Sequence, residues 1–377
     1  MVQVKTDGIL GLQSEFQNKK LVCFGAGRHF ETIMALYASY TVAKHVAFIL
    51  DNASSLHGTC KTFQEKTYRI LSPEAFAGMV NTDETVLLIT NHFYSMEIIE
   101  QLDKMPELDG LSVYVGSFLS EMDYSIPEFE LAAGGEAQIP RVIHFCWFGE
   151  SEIPEVYKHY METWRRFCPD YEIRRWDESN FDVSQNKYMF QAYQNKKWAF
   201  VSDYARLKVI YEHGGIYLDC DVQLLRSMDD FLSAKMFCGF EDYNHINLGL
   251  GYGAVARHPY LKRLMDYYDT LEFVHSDGSL NMVPCPAYQT AVLKEFGIRD
   301  DNTFQRLENI TVYPTAVFSP VSGLGSGQIT DISCSIHHYG ASWQPEEEMQ
   351  KIRQVYQRYC KRIEEQNVKS QGKVKYD

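Results

Sequence analysis

The sequence lacks the features by which several classes of protein are recognised. Its 377 residues hold no CxxC pair, and the nine cysteines are scattered and odd in number. This argues against a zinc site or a disulfide framework and indicates reduced, mostly buried thiols. No segment reaches the roughly 18–20 apolar residues that a membrane-spanning helix needs. Residues 1–12 contain no apolar signal core, so we expect a cytoplasmic protein.

Positive charge is also scarce. The chain has 36 Lys and Arg against 50 Asp and Glu, a net charge of −14. An acidic chain is a poor general binder of nucleic acid, and we expect no nucleic-acid partner. Hydrophobic residues make up 45% of the chain, as in ordinary folded proteins, and its length predicts two domains or three.

The first third of the chain alternates apolar runs with a helical pattern. Residues 19–25, 45–50, 85–90 and 111–115 predict strands, and residues 30–40 predict a helix. Strands that alternate with helices form a parallel sheet. The sequence therefore predicts a smaller Rossmann-like parallel α/β domain over residues 1–135.

The first turn of this domain resembles a dinucleotide-binding loop. Gly25 and Gly27 occupy the first two glycine positions, Phe30 replaces the third, and Asp51 lies where a ribose-binding acid would be. Three interpretations stay open: NAD binding, binding of a nucleotide-sugar or another small ligand, and an accessory domain that only packs or docks. Phe30 argues against NAD chemistry.

A stretch rich in small residues, 124–138, predicts a linker. Residues 139–149 then begin a new pattern, a buried strand that ends in an aromatic cluster with Trp147. We predict three segments: 1–135, 136–345 and a C-terminal helix with its tail at 346–377.

Residues 199–221 are the richest in candidate functional groups. Apolar residues at helical spacing predict an amphipathic helix that ends at Gly214 and carries Asp203 and Arg206 three residues apart. This pair is either a surface ion pair or a ligand-binding pair, and the planar guanidinium suits phosphate or diol oxygens. Residues 216–221 then predict a strand whose alternation turns Tyr217, Asp219 and Asp221 to one side.

Adjacent carboxylates repel one another unless a cation lies between them, and Mg²⁺ or Mn²⁺ prefers such oxygen ligands. Two later clusters accompany this acidic motif. Asn247 opens a segment with glycine at every second position to residue 253, which either forms a tight bend or lets a substrate approach the backbone. Residues 335–343 place His337 and His338 before Ser342 and Trp343.

These segments together resemble glycosyltransferase family 32, the DXD sugar-binding type, and more distantly the catalytic domain of clostridial glucosylating toxins. The matching residues are 139–149, 200–206, 214–221, 247–253 and 335–343. The resemblance implies a GT-A-type nucleotide-diphospho-sugar transferase domain. It implies retaining transfer from a nucleotide-sugar, UDP-sugar favoured over GDP-sugar, with Mn²⁺ or Mg²⁺. It also suggests a glycan or lipid-linked acceptor in bacterial surface polysaccharide synthesis.

The resemblance assigns roles residue by residue. Trp147 would stack on the nucleobase, Asp203 and Arg206 would hold the donor sugar, and Asn247 would contact the sugar or the leaving diphosphate. For the metal, Asp221 would be a direct ligand, Asp219 would share the metal environment, and His338 is preferred to His337 as a further ligand. For the diphosphate, the assigned residues are Tyr217, Ser342 and Trp343. No residue is assigned as a nucleophile, so direct front-face displacement is inherited from the resemblance.

Residues 346–366 predict a basic amphipathic helix. It either packs on its own domain or makes a peripheral contact with an anionic membrane, where lipid-linked acceptors reside. The competing hypotheses for the whole chain are a non-catalytic nucleotide-sugar-binding scaffold or sensor and an NAD enzyme. The four residues Asp203, Arg206, Asp219 and Asp221 argue against a scaffold, because a binding module need not keep metal ligands.

Overall fold

The chain is a mixed α/β protein. The computed structural model describes residues 1–122, 135–241, 245–340 and 346–373. Two compact units are formed, one by Met1–Asp123 with Gln344–Asp377 and one by Tyr124–Trp343. Most of the linker predicted at 124–138 lies outside the described residues. In the described ranges, no helix combines the length and the apolar character that crossing a bilayer requires.

The first unit contains a seven-stranded sheet with helices around it. Its strands are β1 Gln3–Val4, β2 Lys20–Phe24, β3 Val46–Leu50, β4 Cys60–Phe63, β5 Lys66–Leu71, β6 Thr85–Ile89 and β7 Ser112–Val115. Its α-helices are α1 Gly8–Phe16, α2 Arg28–Leu36, α3 Val42–His45, α4 Pro73–Ala77, α5 Ser95–Leu102, α6 Leu119–Met122 and the C-terminal α13 Glu346–Lys373.

The strand order of this sheet is β1-β7-β6-β2-β3-β5-β4, and every pair is parallel except β4 with β5. The five central parallel strands follow the doubly wound order of Rossmann folds, with β2 in the middle. The four strands predicted from apolar runs are confirmed as β2, β3, β6 and β7. β2, β6 and β7 are nearly continuous buried runs, whereas β3 is buried at Val46, Ile49 and Leu50.

The glycine turn after β2 is held by the chain itself. Both carboxylate oxygens of Asp51 accept backbone N–H groups, one from Ala26 at 2.8 Å and one from Ala53 at 2.8 Å. Phe30 is fully buried and packs edge-on to Tyr68. Asp51 therefore stabilises the turn through these two hydrogen bonds, and Phe30 is part of the hydrophobic core.

Helix α13 packs on the first unit. The rings of Tyr356 and Tyr359 contact Phe118, each at 5.0 Å between centroids. Arg358 forms ion pairs with Glu97 and Glu100 of α5, and Arg362 pairs with Asp103. The helix predicted as a separate segment is thus part of the unit built by residues 1–122, and two of its basic side chains are used inside that unit.

The second unit is built on a mixed sheet. Its strands are β8 Val142–Cys146, β9 Glu172–Trp176, β10 Gly215–Tyr217, β11 Val222–Leu224, β12 Met236–Phe240, β13 Ile246–Asn247, β14 Tyr252–Ala254, β15 Gln305–Arg306, β16 Thr311–Tyr313 and β17 Ser335–His337. Its α-helices are α7 Glu155–Phe167, α8 Lys187–Gln194, α9 Trp198–His213, α10 Pro259–Tyr268, α11 Cys285–Lys294 and α12 Thr315–Phe318. The sheet order is β15-β16-β12-β14-β10-β8-β9, with β13 beside β12, while β11 pairs with β17.

Helix α9 confirms the predicted helix but not its amphipathic character. Residues all around it are buried, including Val201, Asp203, Arg206 and Ile210. The helix packs between α8, α10 and strands β8 and β10, so it has little solvent face. Gly214 and Gly215 end it with φ values of +66° and +102°, where side chains are disfavoured.

Candidate functional site

The acidic motif lies just beyond the end of strand β10. β10 is an interior strand of the sheet, parallel to β8 on one side and antiparallel to β14 on the other. The sequence predicts a strand over residues 216–221, but β10 ends at Tyr217 and β11 begins at Val222. The backbone N–H of Asp219 donates instead to Gly249 O, 3.0 Å away. The motif is therefore a connection between two sheets, which lets its two carboxylates turn to different partners.

Arg206 joins helix α9 to this connection. Its Nη2 atom lies 3.4 Å from Oδ1 of Asp203 and 3.2 Å from Oδ1 of Asp219. Its side chain is only 4% exposed, so this is not the surface ion pair that was one interpretation of the sequence. Its Nη1 atom is buried and has no hydrogen-bond partner among the described residues. A buried, unpaired donor is costly, so Nη1 is suited to bind a ligand oxygen.

Asp203 is buried beside this guanidinium, and Asp219 is partly buried there, with 25% of its side chain exposed. Burial raises the pKa of Asp203 to about 6, although the positive charge of Arg206 opposes the shift. Burial also raises the pKa of Asp219, again opposed by Arg206. The two acids thus depend on Arg206 to remain ionised in a nearly dry environment.

Tyr217 supports Asp219. Its ring is buried under the Arg206 guanidinium, 5.1 Å from the ring centroid. Burial raises the pKa of its hydroxyl, which donates to Oδ1 of Asp219 at 3.0 Å. The Tyr217 hydroxyl is thus bonded within the protein, and the diphosphate contact that the resemblance implies for it stays a prediction.

Asp221 faces the other way, towards strand β17. Its Oδ2 atom lies 3.3 Å from Nε2 of His337 and accepts the backbone N–H of Gly340 at 2.7 Å. Burial alone would raise the pKa of Asp221, but the charge and hydrogen bond of His337 outweigh it and lower the pKa to about 2. The same charge raises the pKa of His337 to about 9, against the effect of burial.

These residues form a candidate cation site. One potential ligand atom from each of Asp219, Asp221 and His337 lies within 4.8 Å of the other two. Two carboxylates and a neutral imidazole are a donor set that fits Mn²⁺ or Mg²⁺, since carboxylate oxygens are the ligands these ions prefer. A cation bound here would displace the proton that His337 carries beside Asp221.

The preference for His338 over His337 is corrected by this geometry. His338 stacks on Tyr160 at 4.0 Å between ring centroids, and its Nε2 atom lies 2.9 Å from Oε1 of Gln223. β17 pairs with β11 so that His337 lies opposite Val222, and neighbouring residues of a strand point to opposite faces. Only one of the two histidines can therefore face Asp221.

Trp147 reaches the site through a tyrosine that the sequence analysis missed. Its ring lies edge-on to Tyr157, 6.2 Å between centroids, and its indole N–H donates to Ser151 O at 2.8 Å. The Tyr157 hydroxyl lies so close to Gly340 that a methyl group there would overlap it. Tyr157 lies on α7, and nothing in the local sequence signals this contact. Ser342 and Trp343, expected at the diphosphate, lie outside the described residues.

Asn247 is held close to Arg206 and Asp219 by a glycine. Its Nδ2 atom donates to Oε2 of Glu241 at 2.7 Å, and its Oδ1 atom accepts the N–H of Gly249 at 2.6 Å. A methyl group at Gly249 would overlap Oδ2 of Asp219 and lie 2.8 Å from Nη1 of Arg206. The alternating glycines therefore mark a close approach, and this approach is to the protein's own acidic motif. Glu241 has no recognisable signal in the sequence.

Comparisons with known proteins identify the class of this region. Residues 154–238 match the family described as the glycosyltransferase sugar-binding region containing DXD motif. The match includes Asp203, Arg206, Asp219 and Asp221. The match supports the resemblance seen in the sequence: this region is similar to the DXD-type sugar-binding region of glycosyltransferases.

Particular relatives are found among curated proteins. Inositol phosphoceramide mannosyltransferase 1 of Schizosaccharomyces pombe is 31% identical over 141 residues, which are 34% of this chain and 43% of that protein. Inositol phosphoceramide mannosyltransferase 3 of the same yeast is 33% identical over 107 residues, 27% of this chain and 30% of that protein. The chain thus spans less than half the length of these relatives.

Among solved structures, PaToxG glycosyltransferase resembles the chain with a TM-score of 0.33 and 18% identity, over 42% of this chain and 69% of that one. A glycosyltransferase involved in glycosylating the major capsid of PBCV-1 also has a TM-score of 0.33, with 10% identity, over 56% of this chain and 99% of that one. At that score neither structure defines the fold.

Proposed function

We propose that the chain is a metal-dependent retaining glycosyltransferase with a GT-A fold, which moves a hexosyl group from a nucleoside-diphosphate sugar to a hydroxyl acceptor. The observation that carries the proposal is the buried Arg206, whose Nη1 atom is unpaired while its Nη2 atom holds Asp219 of the candidate cation site. A guanidinium, two carboxylates and a cation site within one small volume suit a ligand that carries both hydroxyl groups and phosphates.

The divalent cation would be held by Asp219, Asp221 and His337. When bound, it supplies a Lewis acid that neutralises negative charge on the departing diphosphate. The low pKa of Asp221, about 2, keeps this carboxylate ionised at any physiological pH. Asp203 and Arg206 would orient the donor sugar by its hydroxyl groups, and Trp147 would stack on the nucleobase.

The described part of the site offers no carboxylate that we assign as a nucleophile. We therefore propose front-face displacement, in which the leaving phosphate takes the proton of the acceptor hydroxyl. Burial of Arg206 and Asp203 supports this chemistry, because fixed charges act more strongly where water is excluded.

The identity of the sugar is part of the proposal. The related yeast proteins are named as mannosyltransferases, which favours a hexosyl donor such as a mannosyl one. The sequence-based preference for a UDP-sugar over a GDP-sugar stays a prediction. So does a glycan or lipid-linked acceptor in bacterial surface polysaccharide synthesis.

The proposal is tested by release of nucleoside diphosphate. The protein is incubated with UDP-glucose, UDP-galactose, UDP-N-acetylglucosamine or GDP-mannose, each with Mn²⁺ or with EDTA, and free UDP or GDP is measured. Slow hydrolysis is expected with one nucleotide class, only with Mn²⁺, and lost in Asp221→Asn. A donor that binds in the same Mn²⁺-dependent way but is never cleaved, even with added glycan acceptors, would favour the scaffold or sensor instead.

A further inference from the structure

Helix α11, which lies outside the matched residues 154–238, makes two buried hydrogen bonds to the segment that carries Asn247. Oγ1 of Thr290 accepts the backbone N–H of Ile246 at 2.8 Å. Oε1 of Gln289 accepts the backbone N–H of Leu248 at 2.8 Å. Gln289 is fully buried and Thr290 is 5% exposed, so water does not compete for either bond.

These two bonds take the place of the backbone hydrogen bonds that a neighbouring strand would make along the second edge of the segment carrying Asn247. β13, Ile246–Asn247, is bonded to β12 along one edge, with Asn247 opposite Gly239. Backbone groups two residues apart point to the same edge of a strand, so the amides of Ile246 and Leu248 both face away from β12. Without Gln289 and Thr290 both amides would be buried donors without a partner, which is unfavourable.

Gln289 and Thr290 form a clamp, because they bind the backbone N–H groups of the two residues on either side of Asn247. Asn247 then fixes Gly249 by its bond to the Gly249 N–H at 2.6 Å. Gly249 in turn packs against Asp219 with no room for a methyl group, and its backbone oxygen accepts the Asp219 N–H at 3.0 Å. A chain of short contacts thus leads from α11 to the acidic motif.

The first residue of the same helix reaches the other side of the site. The Cys285 thiol lies close enough to the Asp203 carboxylate to oppose the rise in its pKa, and both residues are buried. One rigid helix therefore contacts both the segment that carries Asn247 and the carboxylate of α9.

We propose that Gln289 and Thr290 are positioning residues of the donor site: they set the place of Asn247 and Gly249 against Asp219 and Arg206. This inference rests on the proposed function for its effect on catalysis, but the clamp itself does not. Neither residue touches the ligand directly. Their loss should lower the efficiency of donor cleavage, and each loss should also lower the stability of the unit because it leaves one buried amide without a partner.

The test compares Thr290→Val, which has the same shape but no acceptor, with Thr290→Ser, which keeps the hydroxyl. Gln289→Met serves as a second variant that removes the other bond. Hydrogen exchange by mass spectrometry follows a peptide that covers residues 245–251 in the full chain. Exchange of this peptide should become roughly fivefold faster in Thr290→Val, as expected for one lost hydrogen bond, and Thr290→Ser should restore the protection.

Kinetics supply the second measurement. For Mn²⁺-dependent cleavage of UDP-glucose or GDP-mannose, kcat/KM should fall at least fivefold in Thr290→Val and Gln289→Met and recover in Thr290→Ser. Unchanged protection of residues 245–251 in Thr290→Val would overturn the proposal, as would equal loss of activity in the Val and Ser variants. If the unaltered protein cleaves neither donor, the proposed function fails for these donors, while the exchange result still decides whether the clamp exists.

Discussion

Nη2 of Arg206 lies 3.2 Å from Oδ1 of Asp219, and this contact connects helix α9 to the acidic motif. The guanidinium therefore contributes to stability, besides the ligand contact proposed for it. Removing it leaves the buried carboxylate of Asp203 and the partly buried one of Asp219 without a counter-charge. Breaking one side of a buried ion pair costs about 3–5 kcal/mol, far more than breaking an exposed one.

Arg206→Ala should accordingly lower the free energy of unfolding of the second unit by about 3 kcal/mol or more. All five tryptophans lie at residues 147–343, so tryptophan fluorescence during urea unfolding follows this unit alone. Arg226→Ala is the matched control, because its pair with Asp230 is partly exposed, and it should cost at most about 1 kcal/mol. Equal losses of unfolding free energy in the two variants would contradict the assignment of Arg206 as a buried ion-pair partner on which the stability of the site depends.

Gly249→Ala should damage the site more than a single methyl group suggests. The added carbon would overlap Oδ2 of Asp219 and press on Nη1 of Arg206 at 2.8 Å, and both side chains are held through their other polar atoms, Oδ1 of Asp219 and Nη2 of Arg206. We expect the Mn²⁺-dependent rise in melting temperature with nucleotide-sugar to be lost. Gly78→Ala is the control, because a methyl group there meets only backbone oxygens at 3.7 Å or more. A variant that keeps the full ligand-induced rise would show that the close approach is not needed.

Two adjacent histidines offer a sharp test of the cation site. His337→Gln should weaken Mn²⁺ binding roughly tenfold or more, since the imidazole faces Asp221, whereas His338→Gln should bind Mn²⁺ nearly as the unaltered protein does. Asp221→Asn should abolish binding. Isothermal titration calorimetry with Mn²⁺ alone measures all three. Equal weakening by both histidine variants would place the cation elsewhere.

Local patterns in the sequence predicted which residues form this site, but they predicted less well how those residues are arranged in space. Helical periodicity placed Asp203 and Arg206 on a helix, and alternating apolar residues placed Asp219 and Asp221 at the end of a strand over residues 216–221, although that strand stops at Tyr217. These patterns report local burial. The choice between His337 and its neighbour depends on the pairing of β17 with β11, more than 100 residues apart in the chain. Such long-range pairing leaves no local signal.

The same reason explains what was missed at α11 and α13. Gln289 looks like any polar helix residue until its partner, a backbone amide 41 residues away, is known. The basic stripe of α13 fitted a membrane-contacting helix equally well, because the acidic partners of Arg358 and Arg362 lie more than 250 residues earlier.

A buried histidine away from the motif should make the second unit sensitive to acid. His144 on β8 is fully buried, accepts the indole N–H of Trp176 at 3.0 Å and stacks with His213. Burial, with help from the nearby charge of Arg174, lowers the pKa of His144 to about 3. The folded unit therefore excludes a proton that the unfolded chain binds below about pH 6.5.

The depressed pKa fixes the sign of the effect. The stability contributed by neutral His144 is present above about pH 6.5 and declines by about 1.4 kcal/mol per pH unit as the pH falls towards 3. At pH 5 the unaltered protein should have lost about 2 kcal/mol from this group. His144→Gln keeps an acceptor for Trp176 but cannot gain a proton. Its free energy of unfolding, followed by tryptophan fluorescence in urea, should be lower at pH 7.5 yet fall less between pH 7.5 and 5. An identical pH dependence in the variant would mean that His144 is protonated in the folded unit as readily as in the unfolded chain.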